Sequence, residues 1–297
     1  MTTISLITTC RGRLHQLKQT LPRMLDLGLD QVIVVDYSCP AGTREWVAEH
    51  FPQVDLVCVD GKTEFSISSA RNLGAAAAQS DWLAFVDADI LVSPEWGDWM
   101  RSSLEPGGFY RCEHVDGLRN PESFGTSICM RSDFEAAGQY DELMIGWGPE
   151  DFDLYRRHHV RGLEDRPFPA HCVEPISHSD ASRAGYAPMK TKGQKLTLCI
   201  CYTEAKVALI DALDRHDWLT QEEQQQLMED VCQKLQDWFA QGAETPLSIR
   251  STIKRSKILR PGTLEIDSEI AVITRVTPDF VTAGEICGFL EVPLPTD

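Results

Sequence analysis

The sequence predicts an α/β fold built on a mostly parallel sheet, and three observations carry that expectation. Apolar runs of strand length alternate with segments of helical spacing through the first third of the chain. Arg11, Asp36 and Asp87 each follow the end of an apolar run, where an open parallel sheet binds its ligands. Beyond residue 195 the pattern changes to two amphipathic helices followed by β-type runs.

The elements follow in order. Ile4 to Thr8 is an apolar strand; the stretch from Met1 to Ile7 has no basic region and reads as this strand rather than a signal peptide. Leu14, Leu17, Leu21, Met24 and Leu25 recur at helical spacing. Val32 to Val35 is a second strand, Pro40 to Phe51 a helix with Trp46, Val47 and Phe51 inward, and Val54 to Val59 a third strand. An alanine-rich helix spans Ile67 to Gln79, and a fourth strand spans Leu83 to Val86. Such βαβα order implies strands in parallel with helices on both faces. After Pro94 the pattern mixes, with short strands at Phe109 to Cys112 and Ser127 to Met130 and a helix from Pro149 to His159. His158 and His159, among Arg156, Arg157 and Arg161, read as solvated. Residues 179–194, polar and basic, read as a mobile loop. Leu196 to Leu213 and Gln221 to Phe239 read as helices, the second with Leu227, Val231, Leu235 and Trp238 as its apolar stripe. Gly242 to Pro246 breaks that helix, and Ile270 to Ile273 and Phe289 to Val292 are β-type.

Composition narrows the function. The 297 residues, 42% of them hydrophobic, suffice for one large domain or two unequal ones. No run reaches the ~20 apolar residues of a membrane span. A net charge of −17 argues against nucleic acid as a partner and leaves anionic ligands to locally placed cations or a metal. The ten cysteines are scattered and include no Cys-x-x-Cys pair, which fits reduced thiols in a cytoplasmic protein better than disulfides or zinc.

Four segments carry chemistry. The run Trp82 to Val86 ends in Asp87-Ala88-Asp89. Charges are costly in an apolar interior, so this strand ends at a site edge. If the strand geometry continues, both carboxylates point the same way and suit a hard divalent cation and its diphosphate; the competing reading is an acidic turn with Asp89 as a helix cap. In Gly146-Trp147-Gly148-Pro149-Glu150-Asp151, the glycines leave an aromatic face open beside carboxylates, one of which suits proton abstraction from a hydroxyl. Capping of the following helix by Glu150 and Asp151 explains the acids equally well. His178 begins the expected loop, with His171 as its rival. Arg71, just before the acidic strand, and Arg11 and Arg13, just after the first strand, suit a diphosphate or an ordinary salt bridge.

Taken together, Val34-Val35-Asp36, Ala70 to Gly74, Phe85 to Asp89, Gly146 to Asp151 and His178 resemble glycosyltransferases of the nucleotide-diphospho-sugar transferase (GT-A) fold, particularly family 2. The segment around Trp147 is similar to the C-terminal motif of animal galactosyltransferases. The resemblance covers roughly residues 3–180. It implies a Rossmann-like sheet and a site in which Asp36 bonds the donor's base and Arg11 and Arg71 lie along the nucleotide. Asp87 would contact the ribose or the metal-bound donor, and Asp89 and His178 would ligate Mn²⁺ or Mg²⁺. Trp147 and Glu150 would hold donor sugar and acceptor, and Asp151 would be the catalytic base. Pro149 replaces a glycine usual in the galactosyltransferase motif. Asp151 stands where retaining relatives carry asparagine, which favours inversion. The residues after His178 lack the family's aromatic and basic groups, for which Lys190 or Lys192 would substitute.

The expected protein is thus a metal-dependent inverting glycosyltransferase using a UDP-sugar or similar donor and a carbohydrate or other hydroxyl acceptor. A catalytic domain would span 1–194 and an extension 195–297. A sugar nucleotidyltransferase and a non-catalytic sugar-binding scaffold are the alternatives; the missing Gly-rich, Lys-containing phosphate loop between Thr8 and Arg13 weighs against the first. Three uses stay open for the C-terminal helices: packing on the catalytic domain, a homodimer surface, or a membrane face, the last disfavoured by their many Glu and Gln residues.

Overall fold

The computed structural model describes residues 2–115, 120–144, 150–176, 192–213, 218–260 and 264–278. They divide between two compact units, Met1–Ala184 and Gly185–Asp297.

The first unit runs β1 (Ile4–Cys10), α1 (Leu14–Asp26), β2 (Gln31–Tyr37), α2 (Thr43–His50), β3 (Asp55–Val59), α3 (Ile67–Ala77), β4 (Trp82–Phe85), β5 (Ile90–Val92) and α4 (Glu95–Ser103). It continues with β6 (Gly108–Cys112), β7 (Ser127–Met130), α5 (Arg131–Ala136), α6 (Glu150–Val160), β8 (Glu164–Phe168) and β9 (Val173–Pro175). The main sheet has seven strands in the order β3-β2-β1-β4-β7-β6-β8. β1 pairs in parallel with β2 and β4, and β2 with β3; β7 lies antiparallel to both β4 and β6. The strand order reverses between β1 and β4, so the loops leaving those two strands flank the crevice where such sheets bind ligands.

The strands alternate between two buried faces. Ile4, Leu6, Val32, Val34, Trp82 and Ala84 share one core with Leu17, Leu21 and Met24 of α1 and Trp96 and Met100 of α4. Ile7 and Val35 point the other way, against α3. A Cβ on Gly74 would sit 2.4 Å from Cγ2 of Ile7 and 3.1 Å from Cγ2 of Val35. Glycine there lets α3 lie close enough to the sheet to aim Arg71 and Asn72 past the strand ends. Ser66 fixes the start of α3 by accepting from the Ser69 amide at 3.2 Å.

Several expectations need correction. β4 stops at Phe85, and Asp87 and Asp89 stand in a turn before β5, so strand alternation does not orient them. His158 is only 1% exposed and stacks on Phe109 at 5.1 Å, while His159 is half-buried. Arg157 is buried too, and donates to Asp153 at 2.6 and 2.8 Å. α6 is buried on most of its circumference, so its charges must arrive in pairs. α4 has a signal in Ser93-Pro94-Glu95 and in Trp96 and Met100 one turn apart, which the mixed pattern concealed.

The second unit comprises α7 (Lys192–Ala212), α8 (Gln221–Ala240) and an antiparallel pair, β10 (Leu247–Arg260) and β11 (Leu264–Val276). Residues 192–194, expected in a loop, open α7, so a boundary at 194/195 falls inside a helix. Thr220 and Glu223 form a reciprocal capping box on α8. The expected stripe Leu227, Val231, Leu235 and Trp238 is buried. Trp238 donates to the carbonyl of Thr245 at 2.6 Å, fastening the break after α8 to the helix it ends. The expected strand Phe289 to Val292 lies outside the described residues. Among the described residues no helix is long and apolar enough to cross a membrane.

Candidate active site

At the carboxyl end of β4 the guanidinium of Arg71, 2% exposed, gathers three carboxyl groups. Nη1 donates to Oδ1 of Asp151 at 2.6 Å and to Oε1 of Glu150 at 3.4 Å; Nη2 donates to Oδ1 of Asp87 at 2.8 Å. The Tyr140 ring lies under the guanidinium, 5.0 Å from its carbon, and the Tyr140 hydroxyl donates to Oδ1 of Asp151 at 3.1 Å. Asn72 locks that tyrosine in place. Its amide donates to the Tyr140 carbonyl at 2.9 Å and to Glu142 at 3.0 Å, and its oxygen accepts from the Tyr140 amide at 3.0 Å.

Gly125 backs the cluster. A Cβ there would stand 3.0 Å from Oδ2 of both Asp87 and Asp151 and 2.6 Å from Nη2 of Arg71. Its absence opens space beside the two carboxylate oxygens that Arg71 does not hold.

Burial raises the pKa of Glu150 well above the carboxylate range, and the neighbouring Asp151 charge adds to the rise. Burial also raises Asp151, against which Arg71 works. The guanidinium at 2.6 Å and the tyrosine hydroxyl on the same oxygen favour the ionised form at Asp151 over Glu150. Among the described residues Oε2 of Glu150 has no hydrogen-bond partner, and the Glu150 carboxyl shares a hydrogen bond with that of Asp151. The Tyr140 hydroxyl is pushed far up by burial and stays a donor.

The loops after β1 and β2 form the other wall. Asp36 is 3% exposed; its Oδ1 accepts from the Cys39 amide at 2.7 Å and its Oδ2 from the Arg44 amide at 2.9 Å, tying the end of β2 to the start of α2. Arg11 donates to the carbonyls of Tyr37 at 3.0 Å, Lys62 at 2.8 Å and Thr63 at 2.9 Å, drawing the loop after β3 toward β1. Asp89 is half-buried. Its carbonyl accepts from the Ile176 amide at 2.7 Å, extending the β5–β9 pairing to two residues before His178.

Of the residues singled out in the sequence, Arg71, Asp87, Glu150 and Asp151 meet directly, while Arg11 follows β1 and Asp36 lies near the carboxyl end of β2. Arg71 is turned inward onto carboxylates. Trp147 and His178 lie outside the described residues, as does Lys190; for Lys192 the backbone alone is described. Among the described residues no group of three or more His, Cys, Asp and Glu side chains is arranged to hold a metal ion. Sequence reasoning missed Tyr140 and Gly125. The first follows the turn Gly138-Gln139, both at positive φ, and the second is a glycine just ahead of β7, a placement that often marks a close approach. A separate hollow of about 290 Å³ opens at the amino ends of the strands, lined by Thr3, Asp30, Gln31, Asp55, Gln79 and Ser80. It is remote from the carboxylates and has none of their buried pairing.

A parallel sheet with this strand order, one reversed strand and a carboxylate-lined crevice at the switch point defines the GT-A class of fold. The Mn²⁺ complex of a mannosyltransferase from Pyrobaculum calidifontis with GDP-Man shares it at a TM-score of 0.50 and 15% identity, over 76% of this chain and 68% of that one. The S. aureus TarS fragment 1-349 with UDP-GlcNAc shares it at 0.55 and 12% identity, over 80% and 73%. Residues 5–98 match the family model described as Glycosyl transferase family 2. Mouse (Mus musculus) chondroitin sulfate synthase 3 is 26% identical over an alignment of 176 positions, which takes in 46% of this chain. The chain spans only 19% of the length of that relative.

Proposed function

We propose that this chain is a glycosyltransferase that moves a sugar from a nucleoside-diphosphate donor, a UDP-sugar by preference, to an acceptor hydroxyl with inversion at the anomeric carbon. The observation that carries this reading is Arg71 buried among Asp87, Glu150 and Asp151 at the end of β4.

Asp151 is the base. Arg71 and Tyr140 hold its Oδ1, and Oδ2, beside the space left by Gly125, takes the proton from the attacking hydroxyl. A carboxylate whose pKa burial has raised is a stronger base than an exposed one. Glu150, carrying its own proton, adds no second negative charge beside the base and holds the acceptor edge. Trp147 would hold the donor sugar. The donor nucleotide lies over the loops after β1 and β2, where Arg11 fixes the backbone and Asp36 keeps a second lone pair on each oxygen for the base of the nucleotide.

The residues present fit a hard divalent cation. Asp87 and Asp89 lie one residue apart between β4 and β5, and the Asp89 carbonyl accepts from the amide of Ile176, two residues before His178 in sequence. Asp89 and His178 would hold Mn²⁺ or Mg²⁺, an oxygen and imidazole set suited to Mn²⁺ in particular. When bound, such a cation stabilises the leaving nucleoside diphosphate as a Lewis acid. The Mn²⁺ and nucleotide-sugar complexes of the two fold neighbours support a metal and an activated-sugar donor; the synthase relative supports a carbohydrate acceptor.

The test is a panel of UDP- and GDP-sugars with Mn²⁺ or Mg²⁺, read as nucleoside diphosphate released. Slow, metal-dependent UDP release without acceptor is expected, and Asp89→Ala should abolish metal-dependent donor binding. Release of pyrophosphate instead, or no turnover of any donor, would overturn the proposal.

A further inference from the structure

Two thiols meet where the loops after β1 and β2 approach each other. Cys10 ends β1 and is fully buried, whereas Cys39, three residues beyond Asp36, is half-buried and reachable. The Gly12 amide donates to Sγ of Cys39 at 3.1 Å, Sγ of Cys10 lies 3.2 Å from the Thr43 hydroxyl, and the two thiols hydrogen-bond each other. The Ala41 amide and the Thr43 hydroxyl also serve the Cys39 sulfur, just ahead of the amino end of α2. The Gly12 amide, a fixed donor at 3.1 Å, favours the thiolate form of that sulfur.

The environment sorts the pair. The Cys10 hydrogen bond and the surrounding donors bring Cys39 down to about 4 against the cost of burial, while the same bond and burial push Cys10 far up. Cys58, the exposed cysteine among the described residues, is raised by its partial burial, so exposure alone does not make a thiolate here.

We propose that Cys39 and Cys10 form a dithiol–disulfide couple in which Cys39 attacks and Cys10 resolves, with a small-molecule disulfide as substrate. The Cys39 sulfur bonds to one sulfur of the reagent, whose S–S bond breaks and releases one thiolate. The Cys10 sulfur then attacks the Cys39 sulfur. The mixed disulfide breaks, the second reagent thiolate leaves, and the Cys10 proton goes to it. The reagent gains two electrons and the pair loses two. The cross-link joins the two loops through residues 10 and 39. This assignment stands on the thiol geometry and does not depend on the donor or acceptor.

The experiment titrates the full chain with oxidised glutathione, quenches by alkylation and maps peptides by mass spectrometry without reduction. Cys10–Cys39 cross-linked peptide should accumulate ahead of any adduct on Cys58. Cys10→Ala should stop at a glutathione adduct on Cys39, and Cys39→Ala should leave Cys10 reduced. Should the Cys10 variant fail to fold, the unmodified chain still decides: iodoacetamide at pH 6 should alkylate Cys39 about tenfold faster than Cys58. Equal rates at the two sites, or a Cys39 adduct that persists in the unmodified sequence with Cys10 free, would overturn the proposal.

Discussion

The two walls of the crevice use their charged residues in opposite ways. On the β1–β2 side, Arg11 and Asp36 bond backbone groups, so each fixes the shape of a loop. On the β4 side, Arg71 bonds side chains from the turn after β4 and from the start of α6, 16 to 80 residues away in sequence. One wall is a set of locally determined turns. The other exists only when distant elements have already docked. Changes on the second wall should therefore affect chemistry and folding together, whereas changes on the first should act on the ligand.

Asp151→Asn breaks the comparison at its most sensitive point. The amide cannot accept a proton, so kcat should fall by about 10²–10⁴-fold. Donor affinity, read by calorimetry with UDP, should stay near that of the parent. Near-normal transfer would mean that the base lies elsewhere.

Arg71→Met asks whether the guanidinium is a donor ligand or the clamp on the acids. Removing one partner of a buried ion pair costs about 3–5 kcal/mol, because the remaining charges are left uncompensated. Denaturant unfolding should show a loss of that order. Full stability with weakened UDP binding would instead make Arg71 a contact to the diphosphate, as its sequence context alone suggests. Gly74→Ala tests the same clamp from behind, by pushing α3 off Ile7 and Val35. Overpacking of this kind costs about 1–3 kcal/mol, and the accompanying shift of Arg71 should lower kcat more than it raises KM for the donor.

The difference between the walls also explains what could be read from the sequence. The parallel strands β1 to β4 and the helices between them were legible because hydrophobic spacing is a local property, and the stripe of α8 was legible for the same reason. Asp36 and Asp87 stand out in the sequence because each follows an apolar run. Their partners do not: the acceptance of two backbone amides by Asp36 depends on the turn into α2, and the contact of Asp87 with Arg71 depends on how close Gly74 lets α3 come. Tyr140 and Gly125 have no motif to announce them, since their roles arise only where β7, α6 and α3 converge. The burial of His158 and Arg157 was hidden by charge. The helix looks polar in sequence, and only the pairing of Arg157 with Asp153 makes its interior position affordable.

His158 yields the mildest expectation and a pH signature of its own. Burial, helped by the nearby arginines and His159, pushes its pKa down to about 3, and among the described residues neither ring nitrogen has a hydrogen-bond partner. In the unfolded chain the same group takes a proton near 6.5. Between those values the unfolded state binds more protons than the folded one, so stability falls as the pH drops through that window. From pH 7 to pH 5.5 the loss is about 1 kcal/mol, at 1.36 kcal/mol per unit of pKa difference once the group titrates in the unfolded state. His158→Phe keeps a ring against Phe109 and removes the titration, so its stability should decline less over the same interval. The comparison between parent and variant isolates this histidine from the carboxyl groups around Arg71, which titrate in both. Parallel pH profiles for the two proteins would show that His158 finds a proton-bearing partner in the fold, and the account of α6 as a helix that buries a neutral imidazole would fail.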